Sequence, residues 1–223
     1  EPHAVLCPAT AHVTGTQCVG GGCQIVSCAD FYGDFDGGYP TGCECAPVGA
    51  EPNDTCPTGT NLGNVIDDNG DHVLLTGNLS TSGDVDFLYV HAVDAGWVND
   101  GNDTFHFEAA FAANPGDEFR FNIWRNTSVA CTAATKICDN GGAGTTGLFE
   151  WYVDFHANGG GGRGEAPCTN KTITEPGGQQ YPATSATTEL CTNNSAYFMV
   201  KVFRKAGAVP TCSNYTLEVQ NED

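Results

Sequence analysis

Seven stretches of this chain alternate apolar and polar residues at a period of two, and none of its segments holds a helical period for more than two turns. They are His72 to Leu75, Val85 to Val93, Phe105 to Phe111, Phe119 to Trp124, Phe149 to His156, Phe198 to Val202 and Tyr215 to Val219. Successive side chains of a strand point to opposite faces, so Phe87, Tyr89 and His91 share one face while Leu88 and Val90 share the other. Gly, Asn and Pro clusters separate the stretches and mark turns. The pattern predicts an all-β chain, an antiparallel jelly-roll-like β-sandwich. A length of 223 residues holds one such sandwich with a small satellite.

The satellite is the N-terminal segment 1–48, where Cys7, Cys18, Cys23, Cys28, Cys43 and Cys45 sit among Gly, Pro and Thr. Residues 46–56 read as the linker into a sandwich spanning 49–223. All 12 cysteines lack the paired spacing of a zinc cluster, so disulfides formed in an oxidising, extracellular setting are the expectation. Pairings within 1–48 are left open by the sequence. Beyond it, Cys131 with Cys138, Cys168 with Cys191 and Cys56 with Cys212 are the expected pairs. The last would clip the first strand region to the final one and stabilise by ~3–5 kcal/mol. No run approaches the roughly 20 apolar residues of a membrane-spanning helix. A chain opening on Glu1 fits a secreted product whose signal peptide has been removed.

Eight Lys and Arg against 27 Asp and Glu give a net charge of −19. That surface repels nucleic-acid backbones and anionic lipid, attracts divalent cations and basic partners, and opposes self-association unless cations or apolar contacts offset the repulsion. Seven Asn-x-Ser/Thr sequons make glycosylation candidates of Asn53, Asn78, Asn102, Asn126, Asn170, Asn193 and Asn214.

Catalysis finds little support. His3, His12, His72, His91, His106 and His156 are scattered, and no serine lies in a Gly-x-Ser-x-Gly elbow. Residues 142–147 match Gly-x-Gly-x-x-Gly literally but precede a strand instead of opening a helix, which removes the physical basis of pyrophosphate binding. The chain is read as non-enzymatic.

Two acidic clusters carry the sharpest functional signal. Glu51, Asn53 and Asp54 lie on an extended segment, and Asp84 and Asp86 share a face at the start of a strand. Calcium takes six to eight oxygen ligands, which carboxylates and amides at this density supply. The plainer alternative is that Asn53 and Asp86 hydrogen-bond turn backbone. A glycan on Asn53 would exclude its amide as a ligand. Asp34-Phe35-Asp36-Gly37 also half-matches a calcium loop, but Tyr32 and Cys43 stand where an EF-hand needs acids, so it reads as a turn with solvated carboxylates.

The stretches Glu51-Pro52-Asn53-Asp54-Thr55 and Gly83 to Tyr89, with the closing strands Ala196 to Val202 and Asn214 to Val219, resemble the bacterial pre-peptidase C-terminal domain. This β-sandwich is related to the collagen-binding domains of clostridial collagenases. The resemblance spans roughly 50–221 and implies calcium binding at Glu51, Asn53, Asp54 and Asp86, with Asp84 nearby. Cys23 to Cys28, Phe31 to Gly37 and Gly42-Cys43-Glu44 look like the short cysteine-rich repeats of myxobacterial surface proteins, except that Phe35 replaces the cysteine usual between the two Asp residues.

Two functions follow as expectations. In the first, the protein is an extracellular structural subunit that forms homo-oligomers or filaments. Its N-terminal arm, including Ala4, Val5, Leu6, His12, Val13 and Thr14, pairs with a neighbour's sheet edge. In the second, it is a module of a secreted hydrolase that binds collagen or polysaccharide, with Trp124 and Tyr152 as the aromatics to test. Neither involves nucleic acid or membrane insertion.

Overall fold

The computed structural model describes residues 7–67, 71–95, 104–131, 136–138, 147–156 and 195–222. Its strands are β1 (Val13–Val19), β2 (Gly22–Cys28), β3 (Thr60–Ile66), β4 (Asp71–Gly77), β5 (Asp86–Val93), β6 (Thr104–Ala113), β7 (Phe119–Asn126), β8 (Lys136–Cys138), β9 (Glu150–His156), β10 (Ala196–Arg204) and β11 (Tyr215–Glu222). A five-stranded sheet in the order β3-β5-β10-β7-β8 faces a four-stranded sheet in the order β4-β11-β6-β9, and β1-β2 form a separate hairpin. This is the expected all-β sandwich with one departure: β3 runs parallel to β5, while every other described pair is antiparallel.

The core is the set of inward faces that the alternation identifies. Leu88 and Val90 of β5, Phe119, Phe121 and Ile123 of β7, and Phe198, Val200 and Val202 of β10 close over Phe105, Phe107, Trp151, Leu217 and Val219 of the opposite sheet. Phe107 and Phe198 stack across the two layers with ring centroids 3.7 Å apart. Aromatic pairs in such geometry add to the area buried, by about 0.5–1.5 kcal/mol each.

The N-terminal segment is stapled to one end of this sandwich. Cys45 bonds Cys212 in the loop before β11, and Cys56 bonds Cys131 beyond β7, with Cα–Cα separations of 5.4 Å and 6.0 Å. These two bonds correct the expected pairings of Cys56 with Cys212 and of Cys131 with Cys138. The physical reason is that the approach of one loop to another is decided by how the two sheets stack, which the spacing of cysteines along the chain does not encode. Cys168 and Cys191 lie outside the described residues. Cys7 pairs with Cys23 and Cys28 with Cys43. Four disulfides among the described residues point to an oxidising compartment, not the reducing cytoplasm.

Backbone contacts reinforce the staple. Gly33 and Cys45 form an isolated antiparallel bridge. A Cβ on Gly33 would sit 2.0 Å from the Ser80 carbonyl oxygen, so only glycine permits that approach. Arg204 lies over the Phe35 ring at 4.9 Å and forms an ion pair with the buried Glu118 at 2.8 Å.

Part of the expected assembly arm is built into an intrachain hairpin. Val13 and Thr14 belong to β1, which folds back on β2 of its own chain, with Val13 opposite Cys28 and Val19 opposite Gly22. His12 stacks on Tyr32 at 3.8 Å. Gly20 and Gly21, at φ of 59° and 85°, make the left-handed turn that hairpins favour. Ala4, Val5 and Leu6 lie outside the described residues.

Candidate cation site

The linker and the start of β5 meet at one end of the sandwich. Glu51, Asp54 and Asp84 each bring a carboxylate oxygen within 4.8 Å of the other two. Asn53 and Asp86 lie beneath them, only 7% and 2% exposed. Pairing of the linker with the strand sets this geometry, because the Phe87 N–H donates to the Asn53 carbonyl at 2.9 Å. The Asn53 N–H donates to Glu51 Oε2 at 3.2 Å, and Asp84 Oδ2 accepts from the Ser80 N–H at 2.5 Å. Asp86 Oδ2 accepts the Tyr215 hydroxyl of β11, which ties the site to the opposite sheet. Gly77 makes room for that pair, since a Cβ there would meet Tyr215 Oη at 2.6 Å.

All five residues singled out from the sequence therefore converge. Asp84, a looser match to the family resemblance, is part of the carboxylate triad. Tyr215, Gly77 and Ser80 complete the site and were not singled out. The alternation flags Tyr215 as a core aromatic, and nothing in its local sequence pairs it with an acid 129 residues away.

Electrostatics make the arrangement costly as it stands. Burial, then the nearby Asp84, push the Glu51 carboxyl above the ordinary carboxylate range. Burial does the same to Asp84, with Asp54 adding to it. Burial pushes Asp86 up to about 7; its hydrogen bond from Tyr215 pulls the other way, and Asp84 and Glu51 push it further up. The Asn53 amide lowers Asp86 slightly without closing a hydrogen bond to Oδ1.

Two buried oxygens, Asn53 Oδ1 and Asp86 Oδ1, have no hydrogen-bond partner among the described residues. An unpartnered buried acceptor costs about 1–3 kcal/mol, more if charged. Orphaned oxygens beneath a carboxylate triad fit a hard, oxygen-preferring cation, and the turn-only reading leaves them unexplained. Asp34, Asp36 and Glu44 form the contrasting case. Asp34 Oδ1 accepts from Gly37 N–H at 2.7 Å, Asp36 Oδ1 from Gly38 N–H at 2.6 Å, and Glu44 Oε1 from Phe35 N–H at 2.9 Å. Those carboxylates serve a turn, as expected.

The sequons separate by burial. Asn53 belongs to the site. Asn78 is 1% exposed, with its amide spent on Ala46 O and its oxygen on Val48 N–H. Asn126 is half-buried and Asn214 is exposed, while Asn102, Asn170 and Asn193 lie outside the described residues. Trp124 is on the outer face of its sheet yet only 7% exposed, and packs near Phe87 at 6.0 Å. Nothing is described of the Tyr152 side chain. No family model matches the chain and no curated protein matches it in sequence, so the site is read from its geometry alone.

Proposed function

We propose that this protein is a non-enzymatic extracellular structural subunit that associates with copies of itself, its linker held by calcium at Glu51, Asn53, Asp54, Asp84 and Asp86. The observation that carries this reading is the β1-β2 hairpin. Among the described residues its strands pair only with each other. Residues 2–29 contain no Asp, Glu, Lys or Arg, in a chain whose net charge is −19. The hairpin presents Val19 and Val26 to solvent at 50% and 60% exposure. It is the neutral, β-forming surface by which two strongly acidic molecules can approach.

A matching edge supports the reading. β4 closes the four-stranded sheet, carries neither Lys nor Pro, keeps an unbroken register with β11 and turns Leu74 outward at 55% exposure. Such edges accept strands from other chains. The β3 edge is blunted, because its register breaks between Asn61 and Asn64, where Gly63 has a φ of 86°.

Negative-stain imaging of the full chain beside a Val19→Glu, Val26→Glu variant tests the proposal. Both positions are exposed, so the substitutions leave folding within about 0.5 kcal/mol. Ordered oligomers or fibres for the parent chain, lost in the variant, are expected. A monomer that co-sediments with collagen or polysaccharide would overturn the reading in favour of a polymer-binding module.

A further inference from the structure

The edges of the sandwich differ in what they offer a strand from another molecule. Among the described residues β8 is three residues long, and β9 carries Glu150 and Asp154. The β3 ladder is broken near Gly63. β4 combines an unbroken ladder of seven residues, Asp71–Gly77, with an exposed row of His72, Leu74 and Thr76. Its single acid, Asp71, is taken up by the Ile66 N–H at 3.1 Å.

The β1-β2 hairpin supplies the other half of a contact. Each of its strands is seven residues long, as β4 is. Its ladder is regular only where Thr16–Val19 faces Gly22–Ile25, because the register shifts on both sides of Gly15. Two hairpins laid edge to edge would set two irregular ladders against each other, whereas β4 is a straight template. Hairpin against hairpin would also leave Leu74 at 55% exposure. Hairpin on β4 brings Val19, Val26 and Leu74 into one kind of contact. Apart from Asp71 neither member carries a charged side chain, so their meeting desolvates almost no charge. Within a chain the two are not paired among the described residues. The N-terminal segment is anchored instead at the Gly77 end of β4, with Asn78 bound to Ala46 O and the Val48 N–H.

We propose that the self-association is heterologous: the hairpin of one copy adds to the β4 edge of the next and extends its four-stranded sheet. This rests on the reading that the hairpin is the contact between copies, and specifies the surface that receives it. Donor and acceptor are different patches, so a joined pair keeps one unused hairpin and one unused edge. Association therefore does not stop at two copies but continues head to tail. An open assembly is polar, with a hairpin at one end and a bare β4 at the other. A hairpin-to-hairpin contact would be isologous and would close as a dimer.

Mixing two full-length variants tests this, read by sedimentation velocity and native mass spectrometry in a buffer where the parent chain associates. Val19→Glu, Val26→Glu disables the hairpin, and Leu74→Glu disables the edge. Each alone is expected to be monomeric. Their equimolar mixture should form two-chain species containing one copy of each, and nothing longer, because the hairpin and edge left over both carry Glu. Dimers of Leu74→Glu alone would overturn the proposal in favour of hairpin-to-hairpin pairing and leave the reading of self-association standing. Parent-like assemblies of Leu74→Glu, or a mixture that stays monomeric while the parent assembles, overturn it as well. A monomeric parent chain overturns both this contact and the reading beneath it. Leu74 faces Glu218 across the ladder, so if Leu74→Glu does not fold, Leu74→Lys takes its place. Association of Leu74→Lys alone refutes the edge contact, and species that form only on mixing support it.

Discussion

Asp86 is where burial and function meet most sharply. Its folded carboxyl holds a proton up to about pH 7, whereas an unfolded aspartate releases it near ~4. In chelator, the folded chain thus binds more protons than the unfolded one between those values, and stability falls as pH rises through that window. The contribution is fully present below ~4, is lost by about 7, and is on the order of 4 kcal/mol at most. Denaturant unfolding in chelator should show the parent chain more stable at pH 4.5 than at 7.5, with most of that slope removed in Asp86→Asn. Calcium should reverse the order by displacing the proton. A flat profile in both chains would show that Asp86 is ionised throughout and that no cation is needed to hold it. At this scale the acids were legible, because Glu51, Asn53 and Asp54 are contiguous and Asp84 and Asp86 share a strand face. Tyr215 was not, since its pairing with Asp86 depends on how two sheets stack.

Between elements, the same division between local and long-range information decides what a sequence discloses. Each predicted strand became a strand because period-two alternation is a local signal of a half-buried surface. β3 went unseen, because Asn61, Gly63 and Asn64 interrupt its alternation, and its parallel pairing with β5 is fixed by the crossover and not by its own residues. Disulfide partners are set by which loops share an end of the sandwich, which is why Cys212 meets Cys45 and not Cys56. That arrangement predicts unequal effects of bond removal. Cys45–Cys212 closes a loop of 167 residues, and Cys7–Cys23 one of 16. Chain-entropy scaling gives about 5 kcal/mol for the first and about 3 kcal/mol for the second. Replacing Cys45 and Cys212 by Ala should shift the main urea transition, followed by tryptophan fluorescence, by roughly 4–5 kcal/mol. Replacing Cys7 and Cys23 should leave that transition in place, because among the described residues the hairpin they brace pairs with no strand of the sandwich. Equal shifts in the two variants would mean that hairpin and sandwich unfold as one unit.

For the whole molecule, the governing quantity is a charge of −19, all but one unit of it borne beyond the first 29 residues, whose one charged side chain is Glu1. Two copies approaching through the hairpin and β4 still feel the repulsion of their acidic bodies, and salt screens it: the Debye length falls from about 30 Å at 0.01 M to about 8 Å at 0.15 M. Contacts between the uncharged hairpin and β4, whose one acid is Asp71 at the strand's start, are themselves little affected by salt. Self-association should therefore strengthen as sodium chloride rises over that range, which sedimentation velocity at fixed protein concentration can measure. Calcium matched for ionic strength should strengthen it further, by neutralising the carboxylates at Glu51, Asp54 and Asp84 beyond what screening achieves. A module that captured a basic polymer would behave oppositely, since screening weakens attraction between unlike charges. The Val19→Glu, Val26→Glu variant separates the causes. If the hairpin is the contact, two added charges there should abolish association at low salt and leave it weak at 0.15 M, because a charge buried in an interface is penalised by desolvation that salt does not relieve. Full recovery of the variant at 0.15 M would show instead that the copies meet elsewhere and that the hairpin adds only to the general field.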